Sequence, residues 1–313
     1  MLIAGPNLTI DRTLSIDELR PGEVLRFERV VVTPGGKGLN VARTARALGH
    51  PALLVSFLPG HTGRAGAALI AEEGVELTGV PCAGELRSTA VVLERGGRTT
   101  VLNEPGPEIS GEDWAGYERE LSARMGAHGV LVCSGSVPPG SPLDAYGRLA
   151  SIARGAGVIS VVDASAATLS RALAAGPGVV VPNLGEAEEA LGLRSGGEAV
   201  EAAADSRPRA LAAAVALVKQ GAGAAVVTAA AAGAAVASAG AEPEWLAAPT
   251  VSEVRNPIGA GDVLTAALAT ALERGEPLAD AARSGVAAAS ASVEHPTAGK
   301  LDPERARQLA RRP

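Results

Sequence analysis

Only two cysteines, Cys82 and Cys133, occur in 313 residues, and neither belongs to a Cys-x-x-Cys pair. That excludes a disulfide framework and a zinc site built on paired cysteines. Aromatic residues make up 2 % of the chain, so a core has to come from Val, Leu, Ile and Ala on closely packed elements, which suits a layered α/β protein. Basic residues are outnumbered, 28 Lys and Arg against 34 Asp and Glu, and they are scattered. Without a basic patch there is no footprint for nucleic acid or an anionic membrane, so the expected partner is a small molecule. The opening MLIAGPN is weakly apolar and then turn-forming, unlike a signal peptide, and a reducing cytoplasm is the expected location. Residues 220–241 carry no formal charge, but Gly221, Gly223, Gly233 and Gly240 interrupt them. They are expected to form two short buried strands joined by a turn, not a membrane span.

What is present is a rhythm. GVLVCSG (129–135), GVISVVDAS (157–165), GVVVPN (178–183) and GAAVVTA (223–229) read as buried strands after glycine turns. Between them, residues 142–154, 166–175 and 185–191 read as helices, and 197–219 as a helical region that Pro208 should break or kink. Strand and helix in alternation imply a mostly parallel sheet covered on both faces, with ligands bound beyond the carboxyl ends of the strands. The loops after Cys133, Val162, Val181 and Val254 are therefore the ones to inspect. Two segments, EVLRFERVVVT (23–33) and STAVVLERGGRTTVLNEPG (88–106), instead alternate apolar and charged residues, the second around a Gly96-Gly97 turn. They predict a small antiparallel lid, about residues 12–34 and 86–107 of a single 1–313 domain. Its apolar face needs a cover, either substrate closure or a second subunit in a homodimer.

Two glycine-rich helix starts carry the chemistry. In NPIGAGDVLTAALATAL (256–272), Gly259, Ala260 and Gly261 present bare amides at a helix's positive end, and Asp262 lies in the same first turn. The residues alone leave two uses for Asp262 open: a cap for the helix, or a carboxylate sharing an anion pocket. In TPGGKGLNVARTARALG (33–49), Gly35, Gly36 and Gly38 surround Lys37. This is not the P-loop pattern. A base at one such start and a cation at the other suggest a site for two phosphorylated groups.

GGKGLNVARTARALG resembles the first signature of the ribokinase-like, or phosphofructokinase B, family of sugar kinases, and NPIGAGDVLTAAL resembles its second. NLTID (7–11), SGSVPPG (134–140) and PNLGEAE (182–188) are similar, in order, to further motifs of the family's ketohexose-phosphate branch. The resemblance implies a three-layer α/β/α fold with a β lid and transfer of a phosphoryl group from ATP, with Mg²⁺, to a sugar phosphate. It makes Asp262 the base and residues 259–261 the anion hole. It sets Asp11, Gly36, Lys37, Asn40 and Arg87 on the acceptor, with Lys37 and Arg87 on its existing phosphate. Asn183, Thr228, Gly233, Gly259, Gly261 and His295 fall to the nucleotide, and Asn183 and Glu186 to the metal. Fructose 1-phosphate, fructose 6-phosphate and tagatose 6-phosphate are all compatible acceptors. The rival readings are a kinase of an unphosphorylated sugar or nucleoside, and a sugar-phosphate-binding protein without turnover.

The sequence departs from the pattern on the nucleotide side. Thr228-Ala-Ala-Ala-Ala-Gly233 stands where the family usually has Ser/Thr-Leu-Gly-x-x-Gly, so Ala230 replaces a glycine. If that position needs φ > 0, alanine costs on the order of 1 kcal/mol there. Ala232 replaces a common Glu or Gln, Val181 a frequent lysine, and Pro257 a frequent Thr or Ser.

Overall fold

A computed structural model describes residues 1–193, 205–297 and 299–311. The strands, in chain order, are β1 (Leu2–Ala4), β2 (Thr9–Ile16), β3 (Arg29–Gly35), β4 (Leu53–Phe57), β5 (Glu76–Val80), β6 (Arg87–Glu94), β7 (Thr99–Asn103), β8 (Val130–Ser134), β9 (Ile159–Asp163), β10 (Val179–Val180), β11 (Ala224–Thr228), β12 (Gly233–Ser238) and β13 (Glu244–Ala247). The helices are α1 (Lys37–Ala47), α2 (Gly60–Glu72), α3 (Gly111–Met125), α4 (Ala145–Gly155), α5 (Ala166–Leu173), α6 (Leu184–Ala190), α7 (Ser206–Lys219), α8 (Ala260–Glu273), α9 (Leu278–Ser292) and α10 (Pro303–Ala310).

Nine strands form one sheet in the order β13-β12-β11-β10-β9-β8-β1-β4-β5, parallel except where β12 runs against β11 and β13. Alternation along each strand splits its side chains between two cores. In β8, Leu131 and Cys133 pack with Trp114 and Tyr117 of α3, Tyr146 of α4 and Leu217 of α7. Val130 and Val132 face the opposite layer with Leu39 and Val41 of α1, Leu264 and Leu268 of α8 and Val286 of α9. The uncharged run in α8 follows from this placement: every residue from Asp262 to Ala271 is buried, and a helix covered all round has no polar face to show.

The expected strands and helices of the large sheet are present, with two adjustments. Only Val179 and Val180 form a strand in the 178–183 run, with one isolated bridge at Asn183, because Pro182 has no N–H for a ladder and Asn183 turns into α6. Pro208 neither breaks nor kinks a helix. It sits in the first turn of α7, where its missing N–H costs no intrahelical bond; residues 197–204 of the expected helical region lie outside the described residues. Residues 220–241 form β11 and β12 joined by a tight turn, and among the described residues no helix is long and apolar enough to cross a membrane.

A second, four-stranded sheet has the order β3-β2-β6-β7. Its strand β2, whose first residues 9–11 precede the expected lid segment of about 12–34, pairs antiparallel with β3 and parallel with β6. Leu14, Ile16 and Val92 are buried under Leu19 and Leu25 of the chain's own connection. The opposite face begins with the register row Asp11, Thr33, Thr89 and Asn103 and continues with Thr13, Val31, Val91 and Val101. Val31 and Val101 stay exposed there.

The turn between β11 and β12 carries local strain. Ala230 has φ 47°, the one positive-φ residue other than glycine among the described residues. Gly233 has φ 133°, and a Cβ on it would lie 2.0 Å from the Leu246 carbonyl oxygen. Left-handed alanine costs about 1–2 kcal/mol, partly offset in a glycine variant by about 0.4–1 kcal/mol of extra unfolded-state entropy. Ala230→Gly is therefore expected to leave the thermal midpoint unchanged or raise it slightly. Gly233→Ala should lower stability by more than about 2 kcal/mol in denaturant melts.

Candidate active site

The carboxyl ends of β8, β9 and β11 meet the amino ends of α1, α6 and α8 along one edge of the large sheet. The α8 end is built by its approach loop. Asn256 accepts from the Ile258 amide at 3.0 Å and donates to the Pro296 carbonyl, which fixes the turn before Gly259. Gly259 then takes φ 81°, a left-handed conformation, and no side chain caps the helix. Nothing stands where a Cβ on Gly261 would be. The space beside Gly261 is open, as an anion site requires, while the Ala260 amide turns back to the Pro257 carbonyl at 3.3 Å.

Asp262 is not their cap. Its Oδ2 accepts from Asn40 Nδ2 of α1 at 2.7 Å, and only 5 % of the residue is exposed. Burial pushes its pKa well above the ordinary carboxylate range, Asp163 adds to that, and Lys37 and the Asn40 hydrogen bond oppose it. Lys37 Nζ donates to Asp163 Oδ1 at 3.1 Å, and this neighbouring charge raises the lysine's pKa despite its burial. Thr265 of α8 donates to the other oxygen of Asp163 at 3.4 Å. Asp163 was not singled out by the sequence reading, although the loop after Val162 was. The available signal was an acid closing an otherwise apolar strand at the ligand-binding edge.

A cavity of about 370 Å³ lies beside this centre, lined by Asn7, Lys37, Arg87, Asn103, Ser134, Ser136 and Glu186 among others. Asn7 donates to the Ser136 hydroxyl and to the Pro105 carbonyl. Its Oδ1, Asp11 Oδ1 and Ser134 Oγ are buried without a hydrogen-bond partner among the described residues. Buried polar atoms are rarely left so unless a ligand completes them. Asp11 lies over Gly35, whose Cβ, if present, would be 2.1 Å from Asp11 Oδ2. Burial raises the Asp11 pKa, while Thr9 and Arg87 hold it down.

The two expected phosphate cations line one cavity but are already engaged. Arg87 donates to the Asn7, Leu8 and Glu104 carbonyls at 3.2–3.3 Å; burial lowers its pKa, yet a guanidinium stays charged. Gly36, at φ 115°, is the N-cap of α1 beside Leu8.

Asn183 and Glu186 form a capping box on α6: Asn183 Oδ1 accepts from the Glu186 amide at 2.8 Å, and Glu186 Oε2 from the Asn183 amide at 2.9 Å. Thr228 bridges to Asn183 through its amide on the Pro182 carbonyl. His295 lies past α9, with Nδ1 accepting from the Thr297 amide at 3.0 Å, in a turn that packs on the 255–258 loop.

The profile of pfkB family carbohydrate kinases matches residues 7–305 of the chain. The chain belongs to the pfkB family of carbohydrate kinases. Phosphofructokinase-2 from Escherichia coli is 26 % identical, its tetrameric inhibited form superposing at a TM-score of 0.86 over 99 % of this chain and 97 % of that one. Its structure in complex with fructose-6-phosphate superposes at 0.83 with the same coverage. Arabidopsis thaliana ribokinase complexed with ribose and ATP, 22 % identical, superposes at 0.76 over 100 % and 99 % and shares the ribokinase-like fold.

This pfkB site holds a carboxylate at a cost in stability. An acid whose pKa is higher folded than unfolded contributes stability that is fully present below the unfolded value and is lost as pH rises through the folded one. Asp262→Asn removes that loss while Asn40 retains an acceptor. Its melting temperature should exceed the wild type's, with the gap widening from pH 5 to pH 8. An equal or lower midpoint at pH 8 contradicts the electrostatic account.

Proposed function

We propose that the chain transfers the γ-phosphoryl group of ATP to a ketohexose phosphate, giving a bisphosphate. The observation that carries this is a buried carboxylate of raised pKa at the open mouth of α8, beside a cavity lined by Asn7, Ser134 and the cations Lys37 and Arg87, with oxygens of Asn7, Ser134 and the neighbouring Asp11 unpartnered among the described residues. In this reading Asp11 and Asn40 hold sugar hydroxyls, and Asp262 takes the proton of the attacking hydroxyl. The amides of residues 259–262 stabilise charge on the phosphoryl group in flight, where electrostatics and positioning supply most of the catalysis. Thr228, Gly233 and His295 line the nucleotide side. The similarity to a phosphofructokinase solved with fructose-6-phosphate supports a sugar phosphate as acceptor. We further infer one catalytic unit of body and lid, paired with a second copy through the open Val31, Val91 and Val101 row.

An ADP-release assay with Mg²⁺ across fructose 1-phosphate, fructose 6-phosphate and tagatose 6-phosphate should show turnover with at least one. Asp262→Asn should then lower kcat by about 100-fold or more with acceptor binding retained. The wild-type rate should fall on the acid side through a pKa above the ordinary aspartate value of about 4, because the base must be ionised. A near-normal kcat in the variant removes Asp262 from that role.

One observation favours a second reading, a kinase of an unphosphorylated sugar: Lys37 is paired with Asp163, and the Arg87 donors rest on main-chain carbonyls. Arg87→Ala separates the two. Loss of a charge-assisted bond to phosphate should raise the acceptor KM by about 10- to 100-fold, whereas an unchanged KM selects the unphosphorylated acceptor.

Asn183 and Glu186 suit Mg²⁺ held through water. Among the described residues no cluster of three His, Cys, Asp or Glu could cage a metal. Glu186 brings its charge to the cavity while its Oε2 serves the cap. A single carboxylate fits an ion that keeps several waters and takes other ligands from substrate phosphates. When bound, the ion supplies charge that neutralises those phosphates. Glu186→Gln preserves the capping pattern. It should therefore melt like the wild type yet need about 10-fold or more Mg²⁺ for half-maximal rate; an unchanged requirement dismisses Glu186 from the metal.

A further inference from the structure

We propose that Arg43 is a positioning residue that couples the lid to the base. Its guanidinium fixes the Asn40 amide against Asp262 while holding the end of β3; the inference rests on the reading of Asp262 as the base. Four of the five guanidinium donors are assigned. Nε and Nη2 grip the two carboxylate oxygens of Glu73 at 2.5 and 2.7 Å. Nη2 also donates to the Pro34 carbonyl at 2.6 Å, and Nη1 to Asn40 Oδ1 at 2.9 Å. The pair is largely sheltered, with Arg43 15 % and Glu73 27 % exposed.

The chemistry of an amide makes the last contact directional. Asn40 has one acceptor end and one donor end. With Oδ1 committed to Arg43, Nδ2 has to face Asp262, where it donates at 2.7 Å. An amide turned the other way would set its oxygen against the carboxylate and its NH₂ against the guanidinium. The Pro34 carbonyl belongs to β3, immediately before the Gly35-Gly36-Lys37 turn that enters α1. One planar fork therefore ties together α2 through Glu73, the lid strand, and the side chain that aims the base. A lysine, with one compact ammonium, cannot span these three acceptors.

The test uses Arg43→Lys, Asn40→Ala and the double variant in the phosphoryl-transfer assay. Arg43→Lys, melting close to the wild type, should lower kcat about 10-fold, the scale of one lost orienting hydrogen bond. In the Asn40→Ala background it should cost little more, because both changes break the same chain. Guanidinium ion should restore part of the rate to Arg43→Ala, while methylammonium should not. A kcat in Arg43→Lys within about twofold of wild type, or losses that multiply in the double variant, would overturn the proposal. If the wild type transfers no phosphoryl group to any acceptor, the reading of the base fails, and the relay is judged by NMR instead. The Asn40 side-chain NH₂ resonances should shift and lose exchange protection in Arg43→Lys; unchanged resonances sink the relay.

Discussion

A carboxylate held out of water at the positive end of an uncapped helix is the constraint around which the rest is arranged. Burial and the nearby Asp163 favour its protonated form; Lys37 and the Asn40 amide favour the ionised one. The raising influences outweigh the lowering ones, which moves the group toward the range that a base acting near neutral pH requires. Lys37, Asn40 and Asp163 lie far from Asp262 in the chain, and only the fold brings them to it. β9 delivers Asp163 at its carboxyl end, and α1 and α8 lie side by side on the same face of the sheet. Asp163 thereby acts twice, holding the lysine by direct contact and raising the carboxylate across the cleft.

How much of this was legible depended on the range of the interaction. The strand runs at 129–135 and 157–165 and the glycine-opened helices are set by local pattern, so β8, β9, α1 and α8 could be read directly. β2 was harder. TIDRTLSI alternates Ile10, Leu14 and Ile16 with polar residues, but it starts within residues read as a binding motif and is short of turn signals. Pro208 was misjudged because a proline marks a kink or a start depending on where the helix begins, and that boundary is set by packing. The partners of Asp163 and Arg43 were hidden for a different reason. Their meaning lies in pairings across 126 and 30 residues of chain, and such pairings leave no trace in spacing.

The Asn183 and Glu186 pair has one observed structural use and one proposed use at the metal. Asn183 and Glu186 close the first turn of α6 on itself, a purely structural use that explains their spacing without any ion. The same box aims the helix start, with its positive dipole end and one carboxylate, at the cavity. The structural role therefore does not compete with the ligand role proposed for the pair. The cap is what makes the charge arrive in a defined place.

The two halves of the site differ in how they can discriminate. On the side proposed for the acceptor, buried side-chain oxygens of Asn7, Asp11 and Ser134 lack partners among the described residues, and a ligand that fails to satisfy them leaves their desolvation uncompensated. Polar demands of that kind reject the wrong molecule strongly. On the side assigned to the nucleotide, the turn at residues 229–232 is all alanine, and Val254 and Ile258 stand exposed. Apolar surface and main-chain amides can hold a base and a phosphate, but they distinguish one donor from another weakly. The strained Ala230 fits this division, since a turn that contributes shape and no side-chain hydrogen bond tolerates the loss of glycine at a modest cost in stability. In the proposed reaction, selectivity accordingly rests with the lid and the α1 network, where Asp11, Asn40 and Arg43 converge, and the proposed donor pocket supplies little of it.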